Sequence, residues 1–287
     1  VTSLMVLDGL GPQFHFTTPI YIDDNDNIYI RGSGDPFLTS EAVRRMAKQL
    51  YTLGATSFHS LIFDNSAFAL KESPPQSSRS DNPYDADNGA LAVNFNTVNF
   101  KVDNNRNVSS GEQQTPLLPI MKELARGYSQ GRHRVNIGIL APEEGQKTAT
   151  RYCGELFLAI FKEQGITVTN GFISGKVPAD AQLLFNYISQ LSLAEVVQRC
   201  LLYSNNYIAN QLFLLIGSHK FGSPATWEKA RKAAEQFLIE KLRFEPNQIR
   251  MVDGSGLSTR NRISAEAMLV ILQHFLPYYE LLPKERG

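Results

Sequence analysis

Tyr203-Ser204-Asn205-Asn206-Tyr207 stands between two apolar helical stretches, and its reading decides the fold. Ahead of it, Ser192 and Glu195 form a Ser-x-x-Glu capping box. Leu193, Val196, Val197, Cys200 and Leu201 then make one continuous stripe on a helix of about ten residues. After it, Tyr207 to Ile216 reads as a more apolar helix ended by Gly217. Hydroxyl and carboxamide groups held between two such helices must find hydrogen-bond partners or face a cleft. On its own the tripeptide better fits a helix-to-helix connector, because Ser and Asn favour caps and turns.

A second polar segment follows downstream, Val252-Asp253-Gly254-Ser255-Gly256-Leu257-Ser258. By itself it reads as a tight turn whose glycines supply positive φ. It does not match Gly-x-Ser-x-Gly, so a nucleophile elbow is not supported. Between the two segments, Ser223-Pro224 predicts a helix opened by proline and running to about Leu242. Ser264 predicts the cap of another, from Ala265 to Leu276, stopped by Pro277.

Upstream the pattern alternates strand and helix, which argues for an α/β layer. Phe14 to Tyr21 and Ile28 to Arg31 read as strands around the polar turn Asp23-Asp24-Asn25-Asp26-Asn27. Ser40 to Leu53 carries apolar residues at Ala42, Val43, Met46, Ala47 and Leu50, a helical stripe stopped at Gly54. Ser60 to Phe63 is a short buried strand, and 72 to 89 a long surface loop rich in Pro, Ser, Asp and Asn. Further strands are expected over Ala90–Val102, Val135–Leu140 and Ile166–Ile173. Leu117–Tyr128 suggests a short helix, and Lys147–Gln164 a long amphipathic one.

The bulk numbers exclude several classes. The 287 residues are 43% hydrophobic and 20% charged, too apolar for disorder. Lys plus Arg and Asp plus Glu both number 28, so charge gives no argument for nucleic acid or an anionic membrane. No apolar run is long enough to span a bilayer. The five histidines are scattered, no His or Cys pair has metal-ligand spacing, and no cofactor is expected. Cys153 and Cys200 read as buried free thiols. The opening Val1 to Leu10 reads as the last turns of an apolar helix ending near Gly9 or Gly11, as in a chain cut from a longer one.

Five segments, in order, resemble the D-alanyl-D-alanine carboxypeptidase/endopeptidase family of low-molecular-mass class C penicillin-binding proteins. They are Leu10 to Thr18, Tyr29 to Pro36, Ala90 to Val98, Tyr203 to Ala209 and Asp253 to Ser258. The resemblance implies an α/β (α+β) fold of the penicillin-binding-protein and β-lactamase type. Residues 1–20 would end a nucleophile helix, 21–190 form a large inserted α/β domain, and 191–287 the helical part carrying Ser-x-Asn. It also implies a serine peptidase that cleaves between two D-alanines of peptidoglycan stem peptides through an acyl-enzyme, and that β-lactams acylate, in the periplasm or cell envelope.

By motif match Ser204 would relay the proton toward the leaving group, and Asn206 would hold the substrate amide carbonyl. Asp253, Gly254, Ser255, Gly256 and Leu257 would line the substrate cleft. The family often has Arg directly after Gly-Leu-Ser; here Thr259 intervenes and Arg260 becomes the candidate for a stem-peptide carboxylate. Asp81 and Asp85 are the acidic candidates ahead of the substrate strand. Neither Ser-x-x-Lys nor Lys-Thr-Gly occurs in the sequence; they are expected just before Val1 and just beyond Gly287, and without them the chain should not acylate. The alternatives are an inactive relative that binds peptidoglycan or a partner protein and, within the enzyme class, an endopeptidase acting on cross-links.

Overall fold

The computed structural model describes residues 1–71, 80–140 and 145–284. Along the chain the elements are α1 (Thr2–Leu10), β1 (His15–Ile22), β2 (Ile28–Arg31), α2 (Ser40–Thr52), β3 (Ser57–Phe58) and β4 (Leu61–Asp64). Next come β5 (Thr97–Val102), β6 (Val108–Ser110), α3 (Pro119–Leu124), β7 (Gly131–Asn136), α4 (Gly145–Glu163), β8 (Thr167–Val168), β9 (Phe172–Ser174) and β10 (Gln182–Ser192). The rest is helical: α5 (Leu193–Leu202), α6 (Asn206–Phe221), α7 (Trp227–Gln236) and α8 (Ala265–Phe275). Two compact units result. One holds Val1–Phe16, a segment beginning at Ala67 and everything from Gln190; the other holds Thr17–Ser66 and the stretch ending at Ser189.

The second unit is the α/β part. Its main sheet has the order β10-β1-β2-β4-β9, with β2, β4 and β9 parallel and β1 antiparallel to β2. The helix α2 crosses from β2 to β4, and its stripe Ala42, Val43, Met46, Ala47 and Leu50 is at most 1% exposed. Leu156, Phe157 and Ile160 of α4 join Ile30, Leu61 and Phe63 of the sheet in the same core. A smaller antiparallel sheet, β6-β5-β7, adds Phe100 and Val135 to that core.

Several elements differ from the sequence expectation. The predicted strand from Ala90 begins only at Thr97, because Asn94, Phe95 and Asn96 all adopt left-handed backbone (φ 48, 61 and 52). Burial explains the turn: the Asn94 Oδ1 accepts from the Ser40 amide at 2.9 Å, and its Nδ2 donates to Tyr152 Oη at 3.0 Å, so it caps α2 across the core. The expected strand at Val135–Leu140 lies earlier, at Gly131–Asn136, and the Asn136 side chain turns Ile137–Ile139 into a 3₁₀ helix. The strand expected over Ile166–Ile173 is broken into β8 and β9, with Gly171 at φ 72 between them. Of the predicted surface loop at 72 to 89, 72–79 lie outside the described residues. Pro83–Asp85 form a 3₁₀ turn with Asp85 2% exposed.

Asp35, in the turn after β2, is also buried, and its Oδ1 accepts the Phe37 amide at 2.8 Å. Loss of hydration pushes its carboxyl up from 3.8 to about 6.

In the first unit α1 ends on Gly11 at φ 82. Gly217 does not end α6, which runs on to Phe221; it lets α7 come close, since a Cβ there would lie 2.5 Å from the Ala230 amide nitrogen. The helix expected from Pro224 starts instead at Trp227, where the Thr226 side chain accepts from the Lys229 amide. The last helix ends at Phe275, just before Pro277 as expected, and a 3₁₀ segment over Leu276–Leu281 follows it. Both cysteines are free and buried, and burial pushes each thiol up to about 12. Among the described residues no helix is long and apolar enough to cross a membrane.

Candidate active site

The Ser192 hydroxyl accepts from the Glu195 amide while the Glu195 carboxylate takes the Ser192 amide, the reciprocal box that starts α5. The helix stops at Tyr203, and Ser204 turns left-handed with φ 47. That turn returns the Asn205 amide to the Cys200 carbonyl at 3.1 Å. Asn205 then caps α6, its Oδ1 accepting from the Ile208 amide at 3.0 Å. The connector work therefore falls on the middle residue of the triplet. Among the described residues the Ser204 hydroxyl and the Asn206 carboxamide form no hydrogen bond, and both residues line a cavity of about 410 Å³.

The second motif forms the facing part of that cavity. Asp253 is 1% exposed, and its carboxylate accepts the amides of Gly256 at 2.6 Å and Ser258 at 2.8 Å. It also takes the Ser255 hydroxyl and the Asn261 carboxamide, each at 3.3 Å. A buried carboxylate with four donors is a structural anchor that folds the turn around itself. Gly256, at φ 84, supplies the reversal. Gly254 supplies the close approach: a Cβ there would meet Phe213 Cβ at 2.4 Å and the Ala209 carbonyl oxygen at 2.5 Å.

Asn210, one helical turn past Asn206, locks the two motifs together. Its Oδ1 accepts the amides of Gly254 at 2.9 Å and Ser255 at 3.0 Å, and the residue is 3% exposed. From α1, the Thr2 hydroxyl donates to the Gly254 carbonyl at 2.7 Å, so the first turn of that helix borders the same cavity.

The structure thus brings together Ser204, Asn206, Asp253, Gly254, Ser255 and Gly256. Leu257 is 40% exposed and, with Arg260, does not line the cavity. Arg250 and Arg262 line it instead; their backbones bond each other at 2.8 and 2.9 Å, and both side chains are exposed. Sequence reading missed these two arginines and Asn210. The signal for Asn210 was its i, i+4 position from Asn206; the arginines carried none.

Asp81 and Asp85 belong to the other unit. There the Asp81 carboxylate accepts from the Tyr128 hydroxyl at 2.8 Å, and Asp85 accepts the Ser80 hydroxyl at 2.6 Å. No group of three or more metal-ligating side chains occurs among the described residues.

A Ser-x-Asn on an interhelical turn shares one cavity with an Asp-Gly-Ser-Gly turn beside an apolar helix. The fold is that of a penicillin-binding-protein-like domain. Penicillin-binding protein 4 from Haemophilus influenzae superposes with a TM-score of 0.75 at 19% identity, over 98% of this chain and 69% of that one. The same protein complexed with a β-lactam gives 0.69 at 20% identity, over 97% and 68%. The chain belongs to the D-Ala-D-Ala carboxypeptidase 3 (S13) family, whose model matches residues 1–127 and 144–278. Similar proteins include the D-alanyl-D-alanine carboxypeptidase DacB of Haemophilus influenzae, 22% identical over 95% of this chain and 64% of the relative. A D-alanyl-D-alanine carboxypeptidase of Actinomadura sp. is 24% identical over 94% and 58%. The chain therefore spans less than two thirds of either relative.

Proposed function

We propose that the chain supplies the Ser-x-Asn side of a serine-type D-Ala-D-Ala carboxypeptidase acting on peptidoglycan stem peptides in the periplasm or cell envelope. The observation that carries this reading is a pair of polar groups without a hydrogen bond among the described residues, Ser204 Oγ and the Asn206 carboxamide, on one cavity with the Asp253 turn. A left-handed backbone at Ser204 presents its hydroxyl rather than burying it in a cap. In such a reaction a serine hydroxyl attacks the carbonyl between the two D-alanines, and the amine of the terminal residue leaves with a proton. Ser204 would relay that proton, and Asn206 Nδ2 would donate to the substrate amide carbonyl. Gly254, Ser255 and Gly256 would form the cleft wall. Arg262 and Arg250 would offer guanidinium charge to a substrate carboxylate at this wall. β-Lactams would acylate the same nucleophile.

The 287 residues contain no Ser-x-x-Lys, so no attacking serine is assigned among them. The test is release of D-alanine from a soluble stem pentapeptide by the whole protein, with labelling by a fluorescent penicillin. Folded protein that neither releases D-alanine nor takes the label would sink the proposal. Saturable pentapeptide binding by the whole protein with no covalent label would instead make it a relative that holds peptidoglycan without cleaving it.

A further inference from the structure

The smaller sheet of the α/β unit exposes a face that the proposed reaction does not use. In the antiparallel pairing of β5 with β7, Lys101 lies directly opposite Arg132, and Asn99 opposite Arg134. Alternation puts Thr97, Asn99, Lys101, Arg132 and Arg134 on one side, while Val98, Phe100 and Val135 turn into the core. Like charges directly opposite across two strands destabilise a sheet. Among the described residues neither Lys101, Arg132 nor Arg134 has a carboxylate partner, and all three are exposed. Glu112, at the edge, is held by the Asn99 carboxamide at 3.3 Å rather than by any of the three cations.

The cations are also positioned. Arg132 Nε donates to Asn99 Oδ1 at 3.3 Å, and Arg134 Nε donates to Thr97 Oγ1 at 3.1 Å. The Arg134 guanidinium sits 5.7 Å from the centre of the Phe95 ring, on the left-handed turn described above. Each arginine is held through Nε, which leaves its outer nitrogens for an anion. Arg132 and Arg134, two residues apart on one strand, are spaced about 7 Å, and Lys101 lies about 5 Å across from Arg132. That spacing suits several carboxylates on one extended polymer rather than a single small ion.

We infer that this face of β5 and β7 docks the carboxylate-bearing peptide stems of the cell-wall polymer, holding the protein on its insoluble substrate through residues other than those of the cleft. The identity of the polymer rests on the proposed function; the need for a polyanion rests on the unneutralised cross-strand pair. Individual surface ion pairs are weak, so retention comes from several acting together.

The experiment is sedimentation of the full chain with purified peptidoglycan sacculi, native or with their carboxylates amidated, over a range of salt. Retention is expected on native sacculi, lost at high salt and absent after amidation. The K101Q/R132Q/R134Q variant should bind on the order of tenfold more weakly. Lys101→Glu is expected to raise the melting temperature, because it now faces Arg132, and at the same time to lower retention. D-alanine release from the soluble pentapeptide by the whole protein should not change in any of these variants, which separates this inference from the function it rests on. Equal retention on amidated sacculi, or a variant that binds native sacculi as tightly as the parent, overturns the proposal. So does variant-sensitive capture of heparin or single-stranded DNA with retention on sacculi unaffected.

Discussion

Replacing Asn210 by Leu should loosen the Asp253 turn while keeping the branched shape of the side chain. Asn210 Oδ1 is the acceptor for two backbone amides, Gly254 and Ser255, at 2.9 and 3.0 Å. Leucine has the same branching and accepts nothing, so both amides lose their partner. An unsatisfied buried donor costs about 1 to 3 kcal/mol. Gly254 and Ser255 are half-buried, so water can reach them in part, and about 2 to 3 kcal/mol for the pair is the reasonable sum. At roughly 2 to 4 °C per kcal/mol, the melting temperature should fall by about 4 to 12 °C. Calorimetry of the parent, Asn210→Leu and Asn210→Asp reads this directly. The aspartate keeps an acceptor for both amides and should lose less than the leucine. A leucine variant within 1 °C of the parent, or an aspartate variant less stable than the leucine one, would refute the assignment of Asn210 as the clamp between the two motifs.

Gly217→Ala places a Cβ 2.5 Å from the Ala230 nitrogen and 2.7 Å from its Cα, where backbone must move. A loss of about 1 to 3 kcal/mol is expected in denaturant titration. Asp35→Asn tests the buried carboxyl: its raised value of about 6 means the native state keeps a proton that the unfolded chain, at 3.8, has released. Stability of the parent should therefore fall as pH rises from about 4 through 6, by about 2 to 3 kcal/mol, and the asparagine variant should lack that slope. Ser204→Ala in the whole protein should cut D-alanine release on the order of a hundredfold. Its melting temperature should stay within about 1 °C of the parent, since the hydroxyl supports no hydrogen bond among the described residues.

The helices around the Ser204 turn were legible because each start signal is a local hydrogen bond. Ser192 with Glu195, and Ser264 with the Ala267 amide, close within three residues, so residue identity suffices. Asn94 was not legible: strand alternation over Leu91, Val93 and Phe95 was real, yet its side chain bonds Ser40 and Tyr152, far off in sequence. The longest strand, Gln182–Ser192, escaped for a different reason. Leu183, Leu184 and Phe185 are consecutive, and Ile188 is 60% exposed, so no clean period marks it. Gly217 misled because a helix-ending glycine and a helix-packing glycine look alike until the neighbouring helix is placed.

Family and fold type were carried by the sequence itself, in motifs whose order survives because each is a short segment with its own local chemistry. The triplet at 204–206 and the turn at 253–258 belong to that class. Which residues meet across the cavity was decided only by the folded chain. Asn210 clamps Gly254 and Ser255, Thr2 reaches the Gly254 carbonyl, and Arg262 rather than Arg260 is among the residues lining the cavity. Those contacts join residues distant along the chain, and their geometry depends on how helices pack, which residue order does not encode locally.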